Sequence, residues 1–165
     1  MLGNAVLKFF AASKDYAVKG AVRSKSTVQL FPKNVRNLIL SGLDIDDNDG
    51  LRRLIDETES EVVINCIGLV KQLSDSSDPL VALPINSLLP HKLAQICNDS
   101  NARLIHISTD CVFSGSRGFY SEDDMPDSLD LYGVSKRLGE IDYPNSITLR
   151  TSIIGHELNG NRSLI

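Results

Sequence analysis

The 165-residue chain has no tryptophan and only three cysteines. Cys66, Cys97 and Cys111 are an odd number at wide spacing, which builds no disulfide framework and matches no metal motif, so reduced thiols are expected. His91, His106 and His156 also lack ligand spacing, and no metal site is expected. No apolar run reaches membrane-spanning length, and the first residues lack the basic, apolar, small-residue order of a secretion signal. Positive charge is not in excess: 17 Lys and Arg against 21 Asp and Glu give a net charge of −4 with no basic stripe, which argues against nucleic acid as a partner. Internal repeats, low-complexity segments and linkers are absent too. What remains is a cytoplasmic, soluble chain of ordinary globular composition, 42% hydrophobic and 23% charged, long enough for one domain with a substantial core.

Hydrophobic patterning supplies the architecture. Residues 3–14 carry an apolar stripe of Val6, Leu7, Phe10 and Ala11 and predict a helix. Strands are predicted over Tyr16 to Val22 and Leu38 to Leu40. A helix follows, with Asp49 as N-cap and Leu51, Leu54 and Ile55 on one face. Glu61 to Gly68 reads as a continuous apolar strand of the kind buried on both faces of a parallel sheet. Asp78-Pro79 opens a short helical turn, and Asn86 to Asn98 predicts a longer helix with Leu89, Leu93, Ile96 and Cys97 inward and Pro90 in its first turn. A strand from Arg103 to Ser108, a helix carrying Tyr132 and Lys136, and a strand from Ile147 to Arg150 complete the order α-β-β-α-β-α-β-α-β. This alternation predicts an α/β fold, a Rossmann-type doubly wound parallel sheet whose ligand lies at the carboxyl ends of the strands. Arg23, Asp44, Gly68, Thr109 and Thr151 all follow strand ends. The span between Ser108 and Tyr132 is long for a compact domain and predicts a functional loop, in which Glu122, Asp123 and Asp124 are expected to form a solvated edge.

The chemistry concentrates around Tyr132-Gly133-Val134-Ser135-Lys136. Residues four apart on a helix share a face, so the phenol and the ammonium can meet one ligand. A free phenol has a pKa of about 10, and a nearby ammonium brings its proton transfer toward neutral pH. A hydroxyl from Ser108 or Thr109, at the end of a strand, can hydrogen-bond the same reacting oxygen. By itself the Tyr and Lys spacing is usually surface or half-buried packing, and the surrounding blocks decide the reading. Catalytic Cys111 is disfavoured because a nucleophile needs a paired base, which His106 does not visibly supply.

Those blocks are Val62 to Cys66, Pro84 to Asn86, His106 to Gly115, Tyr120 to Glu122, Asp130 to Glu140 and Leu149 to Ser152. In order and joint occurrence they resemble the extended short-chain dehydrogenase/reductase family, specifically its dTDP-4-dehydrorhamnose reductase branch. The resemblance implies that Tyr132 protonates a sugar C4 carbonyl oxygen, that Lys136 lowers the Tyr132 pKa and holds the nicotinamide ribose, and that Thr109 polarises the carbonyl. Thr109, Asp110 and Tyr132 are the implied substrate contacts. The implied cofactor residues are Leu2, Gly3, Arg23, Asp44, Ile45, Cys66, Ile67, Gly68, Ser108, Tyr132 and Lys136. Gly3 resembles the last glycine of the family's phosphate-binding turn, where bare backbone N–H groups at a helix N-terminus approach phosphate. Arg23 stands beside the implied adenosine ribose, where a guanidinium favours the 2′-phosphate of NADP(H) over NAD(H).

Against that family, residues 1–165 read as a partial NAD(P)-binding Rossmann domain that lacks its first strand and its carboxyl-terminal substrate-binding segments. A fragment of this kind, expressed alone, is expected to aggregate or stay molten, because the missing strand would leave unpaired edges in mid-sheet. Cys111 replaces the branch's usual tyrosine, and Ile67 to Lys71 replaces its alanine-rich and threonine-containing run. Both changes leave reductase chemistry in place and put the identity of the sugar in question. The implied function is NADPH-dependent reduction of a nucleotide-linked 4-keto sugar for surface polysaccharide. The alternatives are an NAD-dependent epimerase or dehydratase of the same family, and a non-catalytic cofactor-binding regulatory subunit. A homodimer is common in the family.

Overall fold

The computed structural model describes residues 1–71, 74–154 and 158; His156 lies outside them. Its elements are α1 (Leu2–Ala11), β1 (Gly20–Val22), α2 (Lys25–Val28), β2 (Ile39–Ser41), α3 (Asn48–Glu57), β3 (Val62–Asn65), α4 (Pro79–Ala82), α5 (Leu89–Asp99), β4 (Arg103–Ser108), α6 (Leu131–Leu138) and β5 (Ser146–Arg150). All strand pairs are parallel, β1 with β2 in one sheet and β3-β4-β5 in another. The fold is therefore α/β and Rossmann-like, as the alternation of patterns predicts. Among the described residues no helix is long and apolar enough to cross a membrane.

The chain forms two compact units, Met1–Thr58 with Ile153–Ile165, and Glu59–Ser152. In the first, Leu7 of α1 packs with Phe31, Val35 and Ile39. The strand expected from Tyr16 is paired only over Gly20–Val22, and Tyr16 instead stacks edge-on against Phe10 at 5.0 Å. Two short helical stretches, α2 and a 3-10 turn over Lys33–Leu38, lack a long apolar period and are not evident from the sequence. The cap of α3 is Asp47 rather than Asp49: its Oδ1 accepts the Gly50 N–H at 2.8 Å, which places Asp49 in the first turn.

In the second unit β4 is central and alternates cleanly, with Leu104, His106 and Ser108 buried on one face. β3 is shorter than expected and is not covered on both faces, since Val62 remains 47% exposed on a strand paired with β4 alone. The helix expected from Asn86 begins its regular α-helical portion at Leu89, with Pro90 in the first turn and Leu89, Leu93, Ile96 and Cys97 buried as expected. Before it, Asp78 caps α4, and Leu83–Leu88 forms a π-helical segment that joins α4 to α5. That segment carries Asn86 and Ser87, both fully used by neighbours described below.

Candidate active site

Helix α6 brings the central pair into place. Asp130 Oδ1 accepts the Gly133 N–H at 2.9 Å, capping the helix so that Tyr132 falls in its first turn and Lys136 one turn later. Two glycines let the helix approach its surroundings at backbone distance. A Cβ on Gly133 would collide with Cys111 O and Ser128 Oγ, and a Cβ on Gly139 would collide with the Asn86 carbonyl oxygen. On the inner face Ser135 is fully buried; its Oγ donates to Tyr132 O at 2.9 Å and accepts from Asn86 Nδ2 at 3.1 Å. Ser87 Oγ donates to Ser135 O at 2.8 Å. Asn86 also accepts the Leu69 N–H at 2.8 Å and donates to Leu69 O at 3.3 Å, so one fully buried amide ties the segment after β3 to α6.

Lys136 is 5% exposed, and its Nζ donates to Ile107 O at 2.8 Å. Burial pulls its pKa from 10.5 down to about 8, with the Glu140 carboxylate opposing. Gly68, after β3, faces this ammonium: a Cβ on Gly68 would stand 3.6 Å from Lys136 Nζ. Thr109 Oγ1 accepts the Cys111 N–H at 3.1 Å and donates to Asp110 Oδ1 at 3.2 Å. The Tyr132 pKa is raised, not lowered as expected: burial dominates, the neighbouring Thr109 hydroxyl opposes it, and Cys111, Asp110 and Asp130 add to it.

Strand ends supply the remaining groups of this unit. Ser108 Oγ donates to Glu140 Oε1 at 2.9 Å, and Arg150 engages both oxygens of Glu140 at 2.8 Å. Asp110 is exposed and accepts from Ser152 Oγ at 2.6 Å. Asn65 Oδ1 accepts the Ile67 N–H at 3.0 Å, so its amide nitrogen donates to His106 Nδ1 at 3.1 Å and fixes the proton on Nε2. His106 is fully buried and its pKa falls to about 3, through burial first and then Lys136 and His91. The long loop after β4 walls a cleft of about 510 Å3 that Lys71, Asp110, Cys111 and Asp130 also line. Phe113 and Tyr120 stack at 4.5 Å, with Arg150 over the first ring and Arg117 over the second. Asp124 is not a free edge carboxylate: Arg117 and the Ser121 N–H hold its pKa down to about 2.

The RmlD substrate binding domain family matches residues 1–161. The chain belongs to that family. Among its relatives, the probable low-salt glycan biosynthesis reductase Agl14 of Haloferax volcanii is 33% identical over 159 residues, covering 93% of this chain and 50% of that protein. Methionine adenosyltransferase 2 subunit beta of Rattus norvegicus is 31% identical over 140 residues, covering 85% of this chain and 39% of that protein. The fold matches the crystal structure of dTDP-4-dehydrorhamnose reductase from Bacillus anthracis in complex with NADP, with a TM-score of 0.67 at 22% identity over 88% of this chain and 57% of that one. The chain thus spans half or less of these two curated relatives.

Of the residues expected to form the RmlD-family site, Cys66, Ile67, Gly68, Ser108, Thr109, Asp110, Tyr132 and Lys136 lie in the unit Glu59–Ser152. Within it the structure sets Tyr132 and Lys136 one turn apart on α6 and brings Gly68 to Lys136. Leu2, Gly3, Arg23, Asp44 and Ile45 lie in the other unit. There, α1 begins without a side-chain cap or an acidic residue in its first turn, which suits an anion. Arg23 and Asp44 are exposed and follow the carboxyl ends of the paired strands β1 and β2. Asn86, Ser135, Glu140 and Lys71 were not singled out by sequence reasoning. They fall within the stretches quoted above, but their bonds join positions up to 59 residues apart, and no local pattern shows those partners.

Proposed function

We propose that this chain is part of an NADPH-preferring reductase of a nucleotide-linked 4-keto sugar, acting in the cytoplasm in surface glycan synthesis, with Thr109, Tyr132 and Lys136 as its catalytic set. The observation that carries the reading is Tyr132 in the first turn of α6 with the buried Lys136 one turn later. The raised Tyr132 pKa keeps the phenol protonated, as a general acid requires. When bound, the nicotinamide supplies a hydride to the carbonyl carbon. Tyr132 donates its phenolic proton to the carbonyl oxygen, giving the alcohol, and Thr109 holds that oxygen in line. The residues fit such a cofactor. Ile107 O takes one of the three ammonium protons of Lys136, leaving two donors suited to ribose hydroxyls beside the bare face of Gly68. Arg23 is the residue for a 2′-phosphate, and Asp110 is a substrate contact.

In the full-length protein Tyr132→Phe is expected to lower kcat by about 10²–10⁴. Wild-type turnover in that variant would overturn the mechanism. Fluorescence titration with NADPH and NADH is expected to show a preference that Arg23→Ala erases, a change of about tenfold or more for a charge-assisted hydrogen bond of about 1.5–3 kcal/mol. Equal affinities in wild-type protein would remove Arg23 from the site.

A second reading, a cofactor-binding regulatory subunit, draws on the likeness to methionine adenosyltransferase 2 subunit beta over 85% of this chain. Co-purification with a stoichiometric partner and no turnover of any keto sugar would favour it.

A further inference from the structure

One guanidinium joins the wall of the cleft to the frame of the sheet. Arg150 closes β5 and is registered beside Ser108 at the end of β4. Its Nε and Nη2 donate to the two oxygens of Glu140, just past the end of α6, each at 2.8 Å, and Ser108 Oγ donates to one of those oxygens at 2.9 Å. The fork therefore ties the ends of β4, β5 and α6 together. With side chains only 25% and 15% accessible, the pair is shielded enough from solvent to keep that geometry. The same guanidinium reaches the long loop after β4: it lies over the Phe113 ring at 5.1 Å, and Nη1 donates to Glu122 O at 3.4 Å. Phe113 in turn stacks on Tyr120 at 4.5 Å, and Arg150, Phe113, Tyr120 and Glu122 all line the cleft.

We propose that Arg150 is a positioning residue for the substrate cleft: clamped by Glu140, it holds the Phe113 to Glu122 stretch of the loop in place as the cleft wall. That this cleft receives the sugar rests on the reductase reading above. A cation in a cleft could also serve as an anchor for an anion, but Glu140 takes both sides of the fork and balances the charge, so what Arg150 offers the cleft is a flat, oriented surface. Other bonds of the stretch, from the Ser114 N–H to Asp127 and from Arg117 to Asp124, run within the loop and fix its shape without fixing its place. The Arg150 contacts link that shape to β5. A wall ordered in advance spares substrate binding the cost of ordering it.

The test compares full-length wild type, Arg150→Lys and Phe113→Leu by hydrogen exchange with mass spectrometry. Lysine keeps a cation for Glu140, so the fold survives, but it has no planar fork to serve the carboxylate and the ring at once. Phe113→Leu removes the ring and leaves the ion pair whole. Both variants are expected to quicken exchange in peptides covering residues 113–122 by about tenfold, while peptides of β4 and α5 keep wild-type rates. Unchanged loop exchange in Arg150→Lys, or quickening that extends equally to β4, would overturn the proposal. Fluorine NMR of 3-fluorotyrosine-labelled protein gives a local signature. The Tyr120 resonance, assigned by its loss in Tyr120→Phe, is expected to move in Arg150→Lys as its stack on Phe113 loosens, and an unmoved resonance would count equally against Arg150. If Tyr132→Phe abolishes turnover while the loop is indifferent to Arg150, this proposal fails and the reductase reading stands. If the loop loosens as expected and Tyr132→Phe turns over normally, the reductase reading fails and the hold of Arg150 on the loop stands.

Discussion

The two compact units differ most in what they bury. The described core cluster of Met1–Thr58 is apolar, built on Leu7, Phe31, Val35 and Ile39, whereas every buried polar residue among the described ones lies in Glu59–Ser152. Buried polar groups cost stability unless each finds a partner, and the second unit meets that demand by long-range bonds from Asn86, Ser87, Ser108 and Lys136. An apolar core asks only for volume and shape. A polar one also fixes direction, and direction is what a proton-transfer site requires.

This contrast breaks most visibly at Asn86. Asn86→Leu keeps the volume but strands the Leu69 N–H and removes the donor to Leu69 O and Ser135 Oγ, and urea unfolding is expected to show a loss of about 3 kcal/mol. A loss below about 1 kcal/mol, the worth of one ordinary bond, would mean that water or a shifted neighbour replaces the amide.

Lys136 gives the next largest effect, and its sign is specific. Its folded pKa of about 8 lies below the usual 10.5. Below pH 8 both states are protonated and the folded one carries the full burial penalty. Between about 8 and 10.5 the folded state has released a proton that the unfolded chain keeps, so this group makes stability rise with pH. Cys97, pushed from 9.0 up to about 11 by burial, acts in the opposite sense, so the comparison must be between variants. Lys136→Met is expected to be more stable than wild type at neutral pH, by about 3 kcal/mol or less, with the difference vanishing above pH 10.5. Parallel stability profiles for the two proteins would contradict it.

The smallest effect sharpens the comparison from the other side. Leu7→Met in the apolar cluster is expected to cost less than about 1.5 kcal/mol, because a volume-conserving swap repacks. A larger cost, read as the shift in urea midpoint at constant slope, would show that this cluster too is geometrically exacting.

The sequence reveals those parts of the molecule that depend on neighbours in the chain. The alternation of β4, the stripe of α5 and the Asp130 to Lys136 block are all local signals, and each is found where it is expected. Asp49 for Asp47 is the ordinary error of choosing among adjacent carboxylates when only one oxygen reaches the Gly50 N–H. The direction of the Tyr132 shift is illegible for a different reason: charges can be counted along a sequence, but burial, which outweighs them here, cannot. Gly139 looks like an ordinary helix terminator until the Asn86 carbonyl is seen where its side chain would stand.

The π-helical segment Leu83–Leu88 also bears on which lengths this chain tolerates. A wide turn of this kind holds more residues than an α-helical turn, so deleting one of them would yield a more regular helix and a higher local propensity. The same deletion would rotate everything upstream by about 100° relative to α5, turning Asn86 or its successor away from Leu69 and Ser135. Substitutions at the exposed Leu88 can drift, whereas the count of residues between Asp78 and Leu89 cannot. Length, more than composition, is the constrained property of this stretch.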